Sequence, residues 1–121
     1  MDKKTILIVD DEDNIRILLK TILETDYLIV EAGDGYQAIV AARESKPDLI
    51  LMDILMPRLD GYTAVDVIRH DELLRNTPIL MVSAAGFPLN KTLAAQLGAR
   101  GFITKPFTSD ELLNNIKKEL P

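Results

Sequence analysis

"TILIVDDEDNIRILLKTIL", Thr5 to Leu23, reads as two structures in succession. Four branched or bulky apolar residues, Ile6 to Val9, run directly into four acids, Asp10 to Asp13. Beyond the acids, Ile15, Leu18, Leu19, Ile22 and Leu23 keep the i, i+3, i+4, i+7, i+8 spacing of one helix face. A run that is apolar at every position suits a strand covered on both faces, and a helix straight after it makes a βα unit. The acids are harder to place. Like charges repel and a buried, unpaired carboxylate is costly, so the end of this strand calls for something positive.

The same alternation continues down the chain. "YLIVEA", "DLILM", "PILMV" and "GFIT" are further strand candidates. Helical spacing recurs at Tyr36, Ile39, Val40 and Arg43, at Tyr62, Val65 and Ile68, at Leu89, Leu93 and Leu97, and at Leu112, Leu113 and Ile116. "FTSDELL" offers Thr108 or Ser109 as an N-cap with acids in the first turn, and Gly98 in "LGARG" suits a helix C-terminus. The chain therefore reads as five βα units without a linker or low-complexity tract, a single domain over residues 1–121.

Composition narrows the function. A chain of 121 residues buries roughly two-thirds of its unfolded surface and needs no covalent staple. Cysteine is absent, which removes disulfides and thiol chemistry. A formal net charge of −5 argues against direct nucleic-acid binding, which depends on Lys and Arg neutralising phosphates. The apolar run after "MDKK" is too short for a signal peptide, and no stretch approaches the ~20 apolar residues of a membrane span. A soluble, cytoplasmic protein without membrane contact is the expectation.

In a parallel sheet all C-terminal strand ends share one edge, and ligands bind in the crevice there. Four of the five expected ends carry polar chemistry: Asp10 and Asp11, then Asp53, then Ser83, then Thr104 and Lys105. Singly, each has a structural reading. Glu12 and Asp13 are helix-start acids, Asp53 could form a turn, Ser83 could cap a helix, and Lys105 could be a solvated charge. Met52, Met56 and Met81 read as core fillers and His70 as a surface residue. Together, the acids, hydroxyl and lysine read as one site. Three carboxylates without His or Cys make a hard, oxygen-only donor set suited to Mg²⁺, with Mn²⁺ possible, rather than zinc. Such a cation takes phosphate oxygens among its ligands, and a carboxylate can itself be the nucleophile in phosphoryl transfer. Asp53, between "LILM" and the turn "ILMPRLDG", is the expected attacking group.

"VDDE", "LILMDILMPRLDG", "ILMVSA" and "ITKPF" occur in an order and spacing that resemble the receiver domains of two-component response regulators, including chemotaxis-type regulators. The resemblance spans essentially the whole chain. It implies a flavodoxin-like doubly wound α/β fold, a parallel five-stranded sheet of order 2-1-3-4-5 with helices on both faces. It implies that Asp53 is the phosphoacceptor, and that Asp10, Asp11, Asp53 and the backbone carbonyl of Leu55 form the metal site, Asp10 largely through water. Ser83 would hydrogen-bond the phosphoryl group and Lys105 would pair with it, the Lys105–Pro106 peptide being cis. Phe102 would be an aromatic switch residue. Pro57 and Gly61 would shape the loop after Asp53.

The partners so implied are a sensor histidine kinase or a histidine phosphotransfer protein upstream. Downstream, an effector or fused output domain would read the fourth helix, fifth strand and fifth helix. The chain would act catalytically only on its own modification and would not be a turnover enzyme. Leu55 and Ala85 are apolar at positions that adjust phosphoryl lifetime in the family. Arg100 and Gly101 stand where dimerising DNA-binding relatives carry an acidic pair, and Asn115 where they carry a basic residue, so that dimer mode is not implied. A haloacid-dehalogenase-like phosphatase would want an Asp at position 55, and a flavin carrier would want a phosphate loop where "DDED" repels phosphate. A pseudo-receiver serving only as an interaction surface would usually have lost some of these acids or the lysine.

Overall fold

The structure, a computed structural model, describes residues 3–56, 58–84 and 91–121, apart from the side chain at position 91. The expectations for Pro57, Ala85 and Leu89 lie outside the described residues.

Five strands and five helices alternate: β1 (Thr5–Val9), α1 (Asp13–Leu23), β2 (Leu28–Ala32), α2 (Gly35–Ser45), β3 (Leu49–Asp53), α3 (Gly61–Arg69), β4 (Ile79–Ser83), α4 (Lys91–Gln96), β5 (Gly101–Thr104) and α5 (Ser109–Glu119). The sheet is parallel throughout, in the order β2-β1-β3-β4-β5. This is the doubly wound arrangement, and the strand order, that the family resemblance implied.

Successive strand side chains point to opposite faces, so each apolar strand feeds two cores. Leu7, Val9, Ile50, Met52, Ile79 and Met81 pack on one side with Ala38, Ala42, Val65 and Ile68 of α2 and α3. Ile6, Ile8, Leu49, Leu51, Leu80 and Val82 pack on the other with Leu19 and Leu23 of α1 and Leu112 and Ile116 of α5. Thr108 caps α5 by accepting a hydrogen bond from the Glu111 amide at 3.1 Å, and Gly98 follows α4 with φ of 90°.

One local reading needs correction. Tyr36 and Val40, expected on the buried face of α2, are 58% and 56% exposed, and the helix buries Gly35, Ala38 and Ala42 instead. Small residues let α2 sit close against β1, β2 and α3, where a Tyr would hold it off. β2 is an edge strand, as the expected order requires, and its Leu28 is 54% exposed.

Candidate functional site

Sheet geometry brings the expected site residues to one edge. Ile54 follows β3 and donates its amide to the Val82 carbonyl at 3.2 Å, while the Lys105 amide donates to the Ser83 carbonyl at 2.7 Å. The ends of β3, β4 and β5 are therefore stitched together directly beneath Asp53, Ser83 and Lys105. The Asp10 amide ties the end of β1 to the Ala32 carbonyl of β2 at 3.2 Å. Four polar or charged residues are buried among those described, Asp10, Asp34, Asp53 and Ser83, and three of them belong to this edge. Burial of polar groups in such density is expensive and marks the place where the fold serves something besides stability.

The Lys105 ammonium answers the acidic end of β1. Its Nζ lies 3.1 Å from Asp10 Oδ2 and 3.7 Å from Asp53 Oδ1, and its side chain is only 20% exposed. Burial would lower the lysine's pKa, but the hydrogen bond to Asp10 and the charges of Asp53, Asp10 and Glu12 outweigh it and raise the pKa. The Lys105–Pro106 peptide is cis.

One cation does not balance the acids. Burial, then the charge of Asp10, with a further contribution from Asp11, pushes the Asp53 pKa up to about 7 despite the opposing pull of Lys105 and a hydrogen bond from the Leu55 amide. Asp10 meanwhile accepts the Glu12 amide through Oδ1 at 2.9 Å, closing the turn into α1. Arg16 secures the same turn by donating to the Asp10 carbonyl at 2.6 Å and pairing with Asp13.

Carboxylate oxygens of Asp10, Asp11 and Glu12 all lie within 4.8 Å of one another. An oxygen-only set beside a carboxylate destabilised by its neighbours fits a hard divalent cation such as Mg²⁺. From sequence Glu12 is only a helix-start acid; its third place in an unbroken run of four acids is the signal for a further role. Asp53 is not one of that trio, but it shares the Lys105 ammonium with Asp10. Leu55 is 56% exposed, and its carbonyl belongs to the loop that leaves Asp53. Gly61 closes that loop with its amide on the Ile54 carbonyl at 2.9 Å, and a Cβ there would lie 2.3 Å from the Asp53 carbonyl oxygen. Ser83 Oγ donates to the Ala84 carbonyl at 3.2 Å, and Phe102 is half-buried against the α3–α4 side of the core.

Residues 6–117 match the model of the response regulator receiver domain. The chain belongs to that family. Receiver domains are phosphorylation-controlled signalling switches rather than metabolic enzymes. Protein PilG of Pseudomonas aeruginosa is 32% identical over 121 residues, covering 99% of this chain and 90% of that protein. The alkaline phosphatase synthesis transcriptional regulatory protein PhoP of Bacillus subtilis is 41% identical over 118 residues, covering 97% of this chain and 48% of PhoP. The chain thus spans about half the length of PhoP and of similar transcriptional regulators. Among solved structures, a response regulator from Chloroflexus aurantiacus superposes with a TM-score of 0.91 at 33% identity, covering 98% of each chain. Chemotaxis response regulator CheY4 of Vibrio cholerae does so at 0.89 and 30%, covering 98% of this chain and 99% of its own. No helix of this receiver domain, among the described residues, is long and apolar enough to cross a membrane.

Proposed function

We propose that Asp53 is the phosphoacceptor of this receiver domain, and that its modification by a phosphohistidine donor sets the state of the switch. The observation that carries this is the position of Asp53. It is buried at the sheet edge, 3.7 Å from the Lys105 ammonium and beside a carboxylate cluster that raises its pKa.

An Asp53 carboxylate oxygen attacks phosphorus, forming an aspartyl phosphate as the donor's phosphorus–nitrogen bond breaks, and the leaving imidazole takes up a proton. Asp10, Asp11, Asp53 and the Leu55 carbonyl would hold Mg²⁺, with Glu12 close enough to join through water. When bound, the ion supplies charge neutralisation for the phosphoryl oxygens. Lys105 pairs with a further oxygen by turning from Asp10, and the Ser83 hydroxyl leaves the Ala84 carbonyl to donate to another. The added charge of about −1.5 to −2 draws the segment after Ser83 toward the site, and Phe102 follows inward.

An apolar cavity of about 290 Å³ beside Lys105, lined by Ile15, Leu18, Ala84, Pro106 and Phe107, supports docking of a histidine kinase or phosphotransfer protein over α1. A groove of about 490 Å³ along α4, β5 and α5, lined in part by Ala95, Arg100, Phe102 and Asn115, supports readout by an effector or output domain. Arg100 there pairs with Glu119 at 3.3 Å. Such a switch works in the cytoplasm, where kinases present their phosphohistidine.

Incubation with acetyl phosphate and Mg²⁺ tests the reading. The intact mass should rise by one phosphoryl group in the parent and not in Asp53→Asn. Equal phosphorylation of both would remove Asp53 as the nucleophile.

A further inference from the structure

Asp34 is the one buried polar residue among those described that lies outside the edge built by Asp10, Asp53 and Ser83. It caps α2, accepting the Gln37 amide through Oδ1 at 2.8 Å. Its other oxygen, Oδ2, accepts from Arg58 Nη1 at 3.0 Å. A cap needs only one oxygen. The second contact reaches across 24 positions to the loop that follows Asp53.

Arg58 is itself unusual. Its φ is 71°, the left-handed region that a residue with a Cβ adopts only at a cost. Conformations of this kind persist where the surroundings over-determine them, and they cluster at functional sites. Here the surroundings are the Asp34 carboxylate and the next residue, Leu59, which lies against α2 so closely that a Cβ on Gly35 would be 2.6 Å from the Leu59 carbonyl oxygen. The loop is thus held at its base by Gly61 on Ile54, and at its crest by Arg58 on Asp34. Between these two anchors lies Leu55, the second residue after Asp53 and exposed at the edge of the site.

We propose that Asp34 and Arg58 form a positioning pair that holds the loop after Asp53, and with it the Leu55 amide and carbonyl, in place at the phosphoryl and metal site. This rests on the functional reading above. The ion pair is asymmetric, with Asp34 at 6% side-chain exposure and Arg58 at 68%, so the acid is the fixed post and the arginine the movable latch. β2 brings the post to the site, because its last residue, Ala32, accepts the Asp10 amide.

Two substitutions separate the pair from its structural by-products. Arg58→Asn removes the guanidinium while keeping a side chain that tolerates φ near 71° and adding no glycine to the loop, and Asp34→Asn removes the charge while retaining a good helix cap. Amide hydrogen exchange is followed in the metal-free parent, both variants and the double variant. Each single change should speed exchange at Leu55 by about fivefold, the double variant should add little more, and amides in β1 and β3 should be unaffected. The Mg²⁺ concentration at half-maximal thermal stabilisation should rise by a similar factor. Unchanged exchange at Leu55 in both variants, or equal acceleration at Leu55 and in β1 and β3, would overturn the proposal. Because exchange is read without metal, it judges the pair even if the parent fails to bind Mg²⁺, a result that would instead remove the functional reading.

Discussion

Replacing Asp53 by Asn should stabilise the metal-free protein, and by an amount that grows with pH. Asp53 titrates near 3.8 when unfolded and at about 7 in the fold. Between those values the native state holds a proton that the unfolded state has released, so stability is highest below the lower pKa and falls as pH rises through the upper one. The gap between 3.8 and about 7, at ~1.36 kcal/mol per pH unit, amounts to about 4 kcal/mol. Asn is nearly isosteric with Asp and has no such titration. The stability of Asp53→Asn minus that of the parent should therefore increase by up to about 4 kcal/mol between about pH 4 and pH 8.

Urea unfolding in EDTA reads this directly. With a slope of about 2 kcal/mol/M, the two midpoints should separate by up to about 2 M as pH rises. Groups away from the site cancel in the difference. Asp71 has its pKa lowered by Arg43, and it loses stabilisation in acid equally in both proteins. Lys105 has its pKa raised, so its contribution is present below its ordinary 10.5 and constant across this window. A difference that does not change with pH would refute the argument that burial and neighbouring acids destabilise the Asp53 carboxylate.

Mg²⁺ should raise the melting temperature, by the equivalent of about 1.4 kcal/mol at roughly tenfold excess over Kd, while Asp11→Asn should raise the metal-free value and blunt the response. Melting scans with and without millimolar Mg²⁺ check this, and an indifferent parent curve would count against the metal site. Leu55→Asn and Ala85→Glu should each speed loss of phosphate from Asp53 about tenfold, or ~1.4 kcal/mol of barrier, because a polar side chain can orient the attacking water where Leu and Ala cannot. First-order decay of the phosphorylated mass measures it, with identical rates as the contrary result. Thr108→Ala should cost about 1 kcal/mol in urea unfolding by freeing the Glu111 amide, and no change would show that solvent caps α5 equally well.

α1 and α5 were legible because their apolar faces are made of large residues: Leu19 and Leu23, Leu112 and Ile116, all buried. α2 misled for the opposite reason. Tyr36 and Val40 face solvent, and the residues it buries fully, Gly35, Ala38 and Ala42, are too small to dominate a periodicity, with Ile39 only partly buried beside them. The site divides in the same way. Asp10, Asp53, Ser83 and Lys105 stood out as polar residues at the ends of apolar strands, and parallel pairing carries all such ends to one edge.

By itself, the sequence determined the alternation of strand and helix, the parallel sheet, and the edge where chemistry collects, since each follows from local periodicity and from where polarity interrupts it. The tertiary structure decided the partners. That Lys105 is the cation facing Asp10 depends on two residues 95 positions apart meeting within 3.1 Å, and that Arg58 reaches Asp34 depends on a left-handed turn and the close approach of a loop to α2. Ion pairs and hydrogen bonds fall off over a few ångströms, a scale set by packing across the sheet and invisible to spacing along the chain.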